Sequence, residues 1–479
     1  MNADRSYRIV LGLGAALYAV TAITNLGIVA IDDYSSVVRL FLPAQAHSVF
    51  GIVEASGFRP PLPVLVHFWL ARLALALGVV HPVAQLRFNL LVLGLFAFAL
   101  MAWAGHQLFA GEDEPDRRQH RTMFALLLGF YFLSPVVFTR PMIESLAAPW
   151  VLVAAATAAL YFKGGRSWWL VAAVASVTIA ATMRPQAGVI VLALPVLIAL
   201  RRKWSDLVVF GAACALGFVA TGLLDQALTG GFHQSLRSYI RFNASTASTF
   251  GVGPWYRFVV LFLGLSLPPV FLSRYRGLDW RRGYWPLLPV VLMFGVFLVA
   301  HSVVPHKEER FAIPALPLFF VLLTPLAVYL QSAAGQRWRV GLFALVNGLG
   351  LVLVVSSPPQ QNVLQLAAWL DERPAIGRVV MAQWDILIPR AFVRHPVSWK
   401  RTPEIFTAAE NGPVDCSLVL VTLENSAAAI RLGGSSKFRP VARFTPGLLE
   451  SAVVWLNPRH NARRGPIVVF EPRGCVDRR

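Results

Sequence analysis

The chain has 479 residues, of which 56% are hydrophobic and only 14% are charged, and its formal net charge is +19. A soluble globular protein carries roughly 25% charged residues, so this composition excludes an ordinary soluble enzyme, a disordered protein and a small secreted module held together by disulfides. The basic residues form short clusters between apolar runs, which favours anionic head groups and phosphorylated lipids over nucleic acid as partners.

A bilayer core takes about 20 apolar residues per helix, and eleven apolar runs approach or exceed this length. The runs are residues 9–31, 88–110, 123–139, 147–162, 168–183, 185–200, 207–224, 258–273, 285–304, 311–330 and 340–355. We therefore expect an all-α polytopic membrane protein with about eleven transmembrane helices.

A further run, residues 61–80, is apolar but carries His67 and Arg72 near its middle. A central arginine costs about 2.5–3.5 kcal/mol on insertion scales. If this run does not cross, the short loops on the N-terminal side of the membrane hold more of the basic residues, and the positive-inside rule places that side in the cytoplasm. We therefore expect 61–80 to be an interfacial or re-entrant helix in a long external loop, 32–87, of a protein of the inner membrane whose C terminus is external.

Charged residues become frequent after residue 355. Residues 361–373 have the apolar spacing of a helix. Four short runs have the composition of strands: residues 378–381, 418–421, 452–456 and 467–470. We predict a membrane domain, 1–355, followed by a small external α/β domain, 356–479. Cys416 and Cys475 lie in this second domain, where a disulfide and two unpaired cysteines are both open interpretations.

Ionisable residues gathered on one side of a membrane protein often mark its functional site. Asp32 and Asp33 directly follow the first span, where two carboxylates can supply a general base or simply solvate the end of a helix. Arg59 can hold a phosphate or extend its charge to the membrane interface. Later external turns add candidate substrate-binding residues: Arg140, Glu144, Arg184, Trp255 and Tyr256. The aromatic pair among them can equally belong to an interfacial belt.

The segment His306-Lys307-Glu308-Glu309-Arg310 joins two spans without a spacer. Lysine and arginine suit the binding of a phosphate, and a histidine can donate a proton or a hydrogen bond to a leaving oxygen. A charged hairpin turn is the alternative interpretation. The sequence has no Walker lysine loop, no dinucleotide fingerprint, no HExxH and no zinc spacing. We therefore expect no cofactor and no metal site, with a divalent cation left open.

The segment 306–311, HKEERF, resembles the HKE-x-RF signature of glycosyltransferase family 22, the multi-spanning α-mannosyltransferases of the GT-C fold. Four weaker similarities occur in the same order as in the family: Asp32-Asp33-Tyr34; Thr139-Arg140-Pro141 with Glu144; Arg184-Pro185; and Gly251 with Pro254-Trp255-Tyr256. The resemblance implies a polyprenyl-phosphate-sugar donor, most simply of mannose, a glycolipid or glycan acceptor, and inversion at the anomeric carbon. It does not extend to the region after residue 355.

The resemblance also implies roles for the candidate residues. Asp32, or else Asp33, would be the catalytic base. Lys307 and Arg310 would meet the charge of the leaving phosphate, with help from His306, Arg59 and Arg184, and Arg140, Glu144, Trp255, Tyr256 and Glu309 would complete the substrate site. Two other functions compete with a transferase: a lipid or glycolipid flippase, and a non-catalytic scaffold whose external domain binds a partner.

Overall fold

The computed structural model describes residues 3–29, 31–42, 48–57, 59–110, 115–246, 249, 251–266, 275, 277–333, 335–382, 389–401, 415–461 and 464–475. The chain forms two compact units. The first contains Met1–Ile23, Ser48–His67 and Leu90–Val352, and the second contains Thr24–His47, Phe68–Asn89 and Leu353–Arg479.

Helices account for most of the described chain up to residue 356. The α-helices are Ala3–Thr24, Ile31–Asp33, Arg39–Phe41, Val49–Ser56, Leu62–Ala76, Pro82–Leu108, Pro115–Phe130, Ser134–Val137, Ile143–Phe162, Trp168–Met183, Ala193–Arg201, Asp206–Thr229, Gln234–Thr246, Arg257–Leu265, Trp280–Tyr284, Leu288–Val303, Leu316–Ser332 and Arg337–Ser356. A π-helix covers Tyr34–Val38, and 3₁₀ turns cover Pro185–Leu192, Trp285–Leu287 and Glu309–Ala315.

Most of the described residues in each of the eleven predicted apolar runs are helical, which agrees with the expected fold class. Within the described residues, seven helical segments are long and apolar enough to cross a bilayer: Arg5–Thr24, Pro82–Leu108, Ile143–Phe162, Asp206–Thr229, Trp285–Val303, Glu309–Ser332 and Arg337–Asp371. Three shorter apolar helices accompany them: Leu62–Ala76, Trp168–Met183 and Pro185–Arg201. The last part of the predicted run 258–273 lies outside the described residues.

The helices differ in how much of their surface is buried. Ile143–Phe162 is alanine-rich and almost fully buried, because small side chains let neighbouring backbones approach closely. It packs against Trp168–Met183 and Leu316–Ser332. By contrast, Asp206–Thr229 exposes large apolar side chains such as Val208 and Leu216, as expected for a helix that faces lipid.

The first helix ends seven residues before the predicted limit of its apolar run, at Thr24. The reason lies in the second unit. The side-chain amide of Asn25 donates hydrogen bonds to the carbonyl oxygens of Val354 and Val355, both at 2.9 Å. Ile28 N then donates to Pro359 O at 3.1 Å, so the chain after Thr24 bonds to another segment instead of continuing its own helix.

The second unit contains a five-stranded sheet. Its strands are β1 (Arg378–Met381), β2 (Ser398–Arg401), β3 (Leu418–Leu423), β4 (Phe438–Phe444) and β5 (Ile467–Pro472), in the order β2-β1-β3-β5-β4. β1 pairs in parallel with β2 and β3, whereas β5 is antiparallel to β3 and β4. The helical elements of this region are Gln361–Asp371, Arg390–Phe392, Ala427–Gly433, Leu448–Leu456 and Pro458–Asn461. Leu420, Leu432, Phe438 and Phe470 form part of its core.

The prediction for this sheet was partly wrong. Three of the predicted strands are confirmed, but residues 452–456 belong to the helix Leu448–Leu456, because a short apolar run does not distinguish a strand from a helix. The predicted helix at 361–373 is confirmed. Cys416 and Cys475 form a disulfide, which selects the first of the two interpretations of this pair.

Candidate active site

The first unit brings four turns between its apolar helices into contact. Nη1 of Arg184 donates to Oε1 of Glu144 at 2.5 Å, which joins the turn after Trp168–Met183 to the start of Ile143–Phe162. The Arg184 guanidinium also lies over the ring of Phe311, 4.6 Å from its centroid. Gly253 N donates to Pro305 O at 3.0 Å. Four of the segments that the sequence singled out therefore meet in one cluster.

The backbone at Arg184 follows from its proline neighbour. A residue before proline is pushed out of the helical region, and Arg184 has φ −143° and ψ 107°. The helix therefore stops at Met183, and Pro185 opens a 3₁₀ turn.

The guanidinium of Arg184 is buried and only partly satisfied. Its side chain is 3% exposed, and that of Glu144 is 2% exposed. Nη1 bonds to Glu144, but Nε and Nη2 have no hydrogen-bond partner among the described residues. Burying donors without partners is costly. Nε and Nη2 form one edge of the planar guanidinium, and such an edge matches two oxygens of a phosphate or carboxylate. Arg184 thus presents an open bidentate edge inside the protein.

Glu308 organises the turn 306–311. His306 Nε2 lies 2.9 Å from Oε1 of Glu308, and Arg310 Nε donates to Oε2 at 2.6 Å. Burial alone would raise the pKa of Glu308, but the hydrogen bonds and charges of Arg310 and His306 outweigh burial and lower it. His306 Nδ1 lies 3.1 Å from the carbonyl oxygen of Gly251. Both imidazole nitrogens therefore face acceptors, and both contacts are hydrogen bonds only when each nitrogen carries a hydrogen.

Lys307 is buried beneath this turn. Its Nζ donates to Gly253 O at 3.2 Å and also to Val304 O. Burial, and then the charge of Arg257, lower the pKa of Lys307. Two carbonyl contacts use two of the three N–H groups of an ammonium, so Lys307 holds the turn to the segment around Gly253 and retains one donor.

An apolar cavity of about 290 Å³ lies beside the turn that carries Arg184. Val177 and Thr178 of Trp168–Met183 and Phe218 of Asp206–Thr229 form part of its wall. Pro60 and Pro185 line it as well, and each of these prolines directly follows a candidate phosphate-binding arginine, Arg59 or Arg184. Neighbouring parts of the first unit therefore suit the two parts of such a ligand: the arginines suit a charged group, and the cavity suits an apolar chain.

The remaining candidates of the first unit occupy different environments. Arg140 is buried in the turn before Ile143–Phe162. Glu309 forms an exposed ion pair with Arg257, and such surface pairs contribute about 0–1 kcal/mol. Trp255 and Tyr256 are 69% and 49% exposed and contact each other edge to face, with centroids 5.8 Å apart. Their surroundings are as compatible with an interfacial belt as with a substrate contact.

Asp32 and Asp33 belong to the second unit. Asp33 is buried and Asp32 is half-buried. The next residue, Tyr34, is buried too, and burial raises its pKa to about 12. Its hydroxyl oxygen accepts a hydrogen bond from Ala391 N at 2.9 Å. The acid pair is therefore carried by a segment that is fixed to the region after the last predicted span.

Sequence reasoning missed three polar residues of the cluster. The sequence indicates Glu308 only as part of the segment 306–311, and it predicts no role for Arg257. His301 lies inside the predicted span 285–304, and its buried Nε2 has no hydrogen-bond partner among the described residues, while Nδ1 contacts Phe297 O at 2.9 Å. In the described part of the chain, no group of three or more His, Cys, Asp or Glu side chains is placed to hold a metal ion.

Comparison with known families matches residues 52–379 to the model of the Alg9-like mannosyltransferase family. This match covers more than half of the chain. The chain belongs to the Alg9-like mannosyltransferase family. Curated relatives include GPI mannosyltransferase 3 of Eremothecium gossypii, 28% identical over 174 residues, and GPI mannosyltransferase 3 of Saccharomyces cerevisiae, 27% identical over 153 residues. These alignments cover 33% and 29% of this chain, but only 29% and 25% of the relatives.

Solved structures show the same fold over the whole length of this family member. ArnT from Cupriavidus metallidurans bound to undecaprenyl phosphate has a TM-score of 0.57 and 13% identity, with 98% of this chain and 99% of ArnT covered. The apo form of ArnT has a TM-score of 0.56 and 12% identity, with 98% of each chain covered. The GT-C fold that the resemblance implied is therefore confirmed, and the protein is a multi-pass membrane protein with a small sheet region near its C terminus.

Proposed function

We propose that the protein transfers a mannosyl group from a polyprenyl-phosphate donor to a glycolipid or glycan acceptor, with inversion at the anomeric carbon. The observation that carries the proposal is the open Nε–Nη2 edge of buried Arg184, next to a turn that lines an apolar cavity. A phosphate joined to a prenyl chain needs both features. Membership of a mannosyltransferase family supports the sugar, and a fold neighbour solved with undecaprenyl phosphate supports the carrier.

In the proposed reaction, the acceptor hydroxyl attacks the anomeric carbon of the donor. Its proton passes to Asp32 or Asp33, a glycosidic bond forms, and the bond from the anomeric carbon to the phosphate oxygen breaks. The polyprenyl phosphate leaves with the electron pair of that bond. Positioned cations that meet a developing charge stabilise the transition state, and Arg184 is the group whose unused donors fit this role best.

The turn 306–311 supports the leaving phosphate in two ways. Arg310, with Nε on Glu308, adds positive charge at the same cluster of turns. His306, whose two ring nitrogens lie against Gly251 O and Glu308, positions the Glu308 carboxylate that binds Arg310. Lys307 contributes mainly by holding the turn in place, since two of its donors bind carbonyl oxygens.

We infer that the chemistry takes place at the external face. Thr24, which ends the first long helix, and Val83, which lies at the start of Pro82–Leu108, line one cavity in the second unit. The chain therefore leaves one span and enters the next on the same side, which supports the interpretation of 61–80 as a segment that does not cross. The disulfide near the C terminus is also typical of an oxidising compartment.

The test is a transfer assay with the purified protein in lipid nanodiscs. We expect mannose to move from synthetic polyprenyl-phosphate-mannose to a glycolipid acceptor, and not from GDP-mannose, with an anomeric configuration opposite to that of the donor by NMR. Arg202→Gln, at an exposed cation outside the cluster, is the matched control for Arg184→Gln. Transfer from GDP-mannose alone, or movement of the lipid across the membrane without transfer, would reject the proposal.

A further inference from the structure

The second unit contains a cavity whose largely apolar wall carries several polar groups, and the proposed reaction gives this cavity no role. Its volume is about 520 Å³, within the range of about 300–1,000 Å³ typical of small-ligand sites. Its wall includes Thr24 and Val83, at the ends of two membrane helices, and Pro358, two residues after Arg337–Ser356 ends. Three membrane helices thus end or begin at this cavity, which sets it at the level of lipid head groups.

A buried carboxylate lies in the cavity wall. The side chain of Asp371 is only 7% exposed and forms an ion pair with Arg394 at 2.9 Å. Arg394 N also donates to Asp371 at 2.8 Å, and His81 Nε2 lies 3.3 Å away. These contacts hold the carboxylate and the guanidinium in fixed positions, so the wall is built before any ligand binds.

The other polar groups of the wall come from two elements: the helix Pro82–Leu108, and the helix Gln361–Asp371 with the residue that follows it. Arg87 is exposed, Gln361 and Gln365 are half-buried, and Glu372 is exposed. The two arginines of the wall, Arg87 and Arg394, are balanced by its two acids, Asp371 and Glu372. Amides, carboxylates and guanidinium groups together offer both donors and acceptors, which matches sugar hydroxyls, since each hydroxyl donates one hydrogen bond and accepts others. A phosphate would favour a wall with a larger excess of positive charge.

The cavity wall is continuous with the segment that carries the acid pair. The buried ring of Phe392 lines the cavity and packs against Tyr34 with centroids 5.7 Å apart. Ala391 N donates to the Tyr34 hydroxyl, and Tyr34 directly follows Asp32 and Asp33. A sugar held in the cavity would therefore be separated by the ring of Phe392 from the element that bears the proposed base.

We propose that this cavity binds the neutral sugar head group of the glycolipid acceptor, while the acyl chains of the acceptor remain in the bilayer. The proposal rests on the proposed function, because it assigns the acceptor to the acid-bearing unit. Gln365 and Arg87 bind sugar hydroxyls in this assignment, and the Asp371–Arg394 pair fixes the shape of the site.

The experiment measures binding and transfer separately. Octyl α-mannoside, octyl β-glucoside and octyl N-acetyl-β-glucosaminide are titrated against the full chain in nanodiscs by saturation-transfer NMR, which needs no catalytic turnover. The variants Gln365→Ala and Arg87→Gln are compared with Arg443→Gln, which alters an exposed cation on the sheet of the same unit. Melting curves confirm that each variant is folded, and the buried Asp371 is left intact.

We expect at least one glycoside to bind, the dissociation constant to rise about tenfold in each cavity variant, and the control to bind as the unaltered protein does. In the transfer assay, the acceptor KM should rise about tenfold while the donor KM stays unchanged. No binding of any glycoside, equal binding by the cavity variants, or displacement of the glycoside by phosphatidylglycerol would overturn the assignment. Cavity-dependent binding without any transfer would leave the site standing and reject the proposed function instead.

Discussion

Replacing Arg184 by glutamine separates the structural role of this residue from its proposed role in donor binding. The change leaves the Glu144 carboxylate buried without its partner, and breaking a buried ion pair costs about 3–5 kcal/mol. The same change removes the open Nε–Nη2 edge. Two charge-assisted hydrogen bonds at about 1.5–3 kcal/mol each correspond to a loss of donor affinity between about 10² and 10⁴.

A double variant distinguishes these two effects. Glu144→Gln in the Arg184→Gln background removes the stranded charge, so most of the lost stability should return, whereas donor affinity should remain low. Arg184→Lys keeps one charge but not the planar edge, and we expect an intermediate loss of affinity.

The assays are thermal unfolding followed by tryptophan fluorescence and equilibrium binding of radiolabelled polyprenyl phosphate, with Arg202→Gln as the control. Normal binding by Arg184→Gln would show that the Nε–Nη2 edge does not hold the donor phosphate. So would recovery of binding in the double variant, because Arg184 would then act only by neutralising Glu144.

Three further predictions concern other parts of the chain. Replacing Cys416 and Cys475 by serine opens a loop with a sequence separation of 59 residues and should lower the free energy of unfolding in urea by about 4 kcal/mol; an unchanged midpoint would contradict it. Because the pKa of Glu308 is lowered in the folded protein, its contribution to stability is present above the unfolded-state pKa of about 4.5 and is lost as the pH falls through the folded value. Glu308→Gln should therefore flatten the acid limb of melting temperature against pH, and parallel curves would count against this linkage. One of Asp32→Asn and Asp33→Asn should reduce turnover about 10²–10⁴-fold, measured with saturating donor, and near-normal rates in both would remove the proposed base.

The length and hydrophobicity of apolar runs predicted most of the fold. A run of about 20 apolar residues can adopt few structures in a bilayer, so the helices could be predicted from the sequence. Their internal breaks were not. The run 311–330 starts in a 3₁₀ turn, Glu309–Ala315, and the first run ends at Thr24 because Asn25 bonds to carbonyl oxygens more than 300 residues away.

Amino-acid composition predicted the inner strands of the sheet but not its edge strands. β1, β3 and β5 are rich in buried branched residues and were predicted. β2 and β4 were not, because edge strands carry charges: Arg439 and Arg443 of β4 pair with Glu471 and Glu424.

For the candidate site, the sequence predicted which residue types matter but not their partners. It singled out Arg184 and Glu144 from separate turns, yet the bond between them, and the edge that this bond leaves open, depend on packing across 40 positions of the chain. The contacts of Glu308 with His306 and Arg310 could not be predicted from the sequence either, because neighbouring polar residues in a motif can pair in several ways.

In the proposed reaction, the free edge of Arg184 holds the donor phosphate beside the apolar cavity. A cryo-EM map of the protein in nanodiscs with added decaprenyl phosphate tests it most directly. We predict phosphate density with oxygen atoms about 3 Å from Nε and Nη2 and prenyl density entering the cavity past Pro185. Phosphate bound elsewhere, with that edge of Arg184 still empty at saturating lipid, would contradict it.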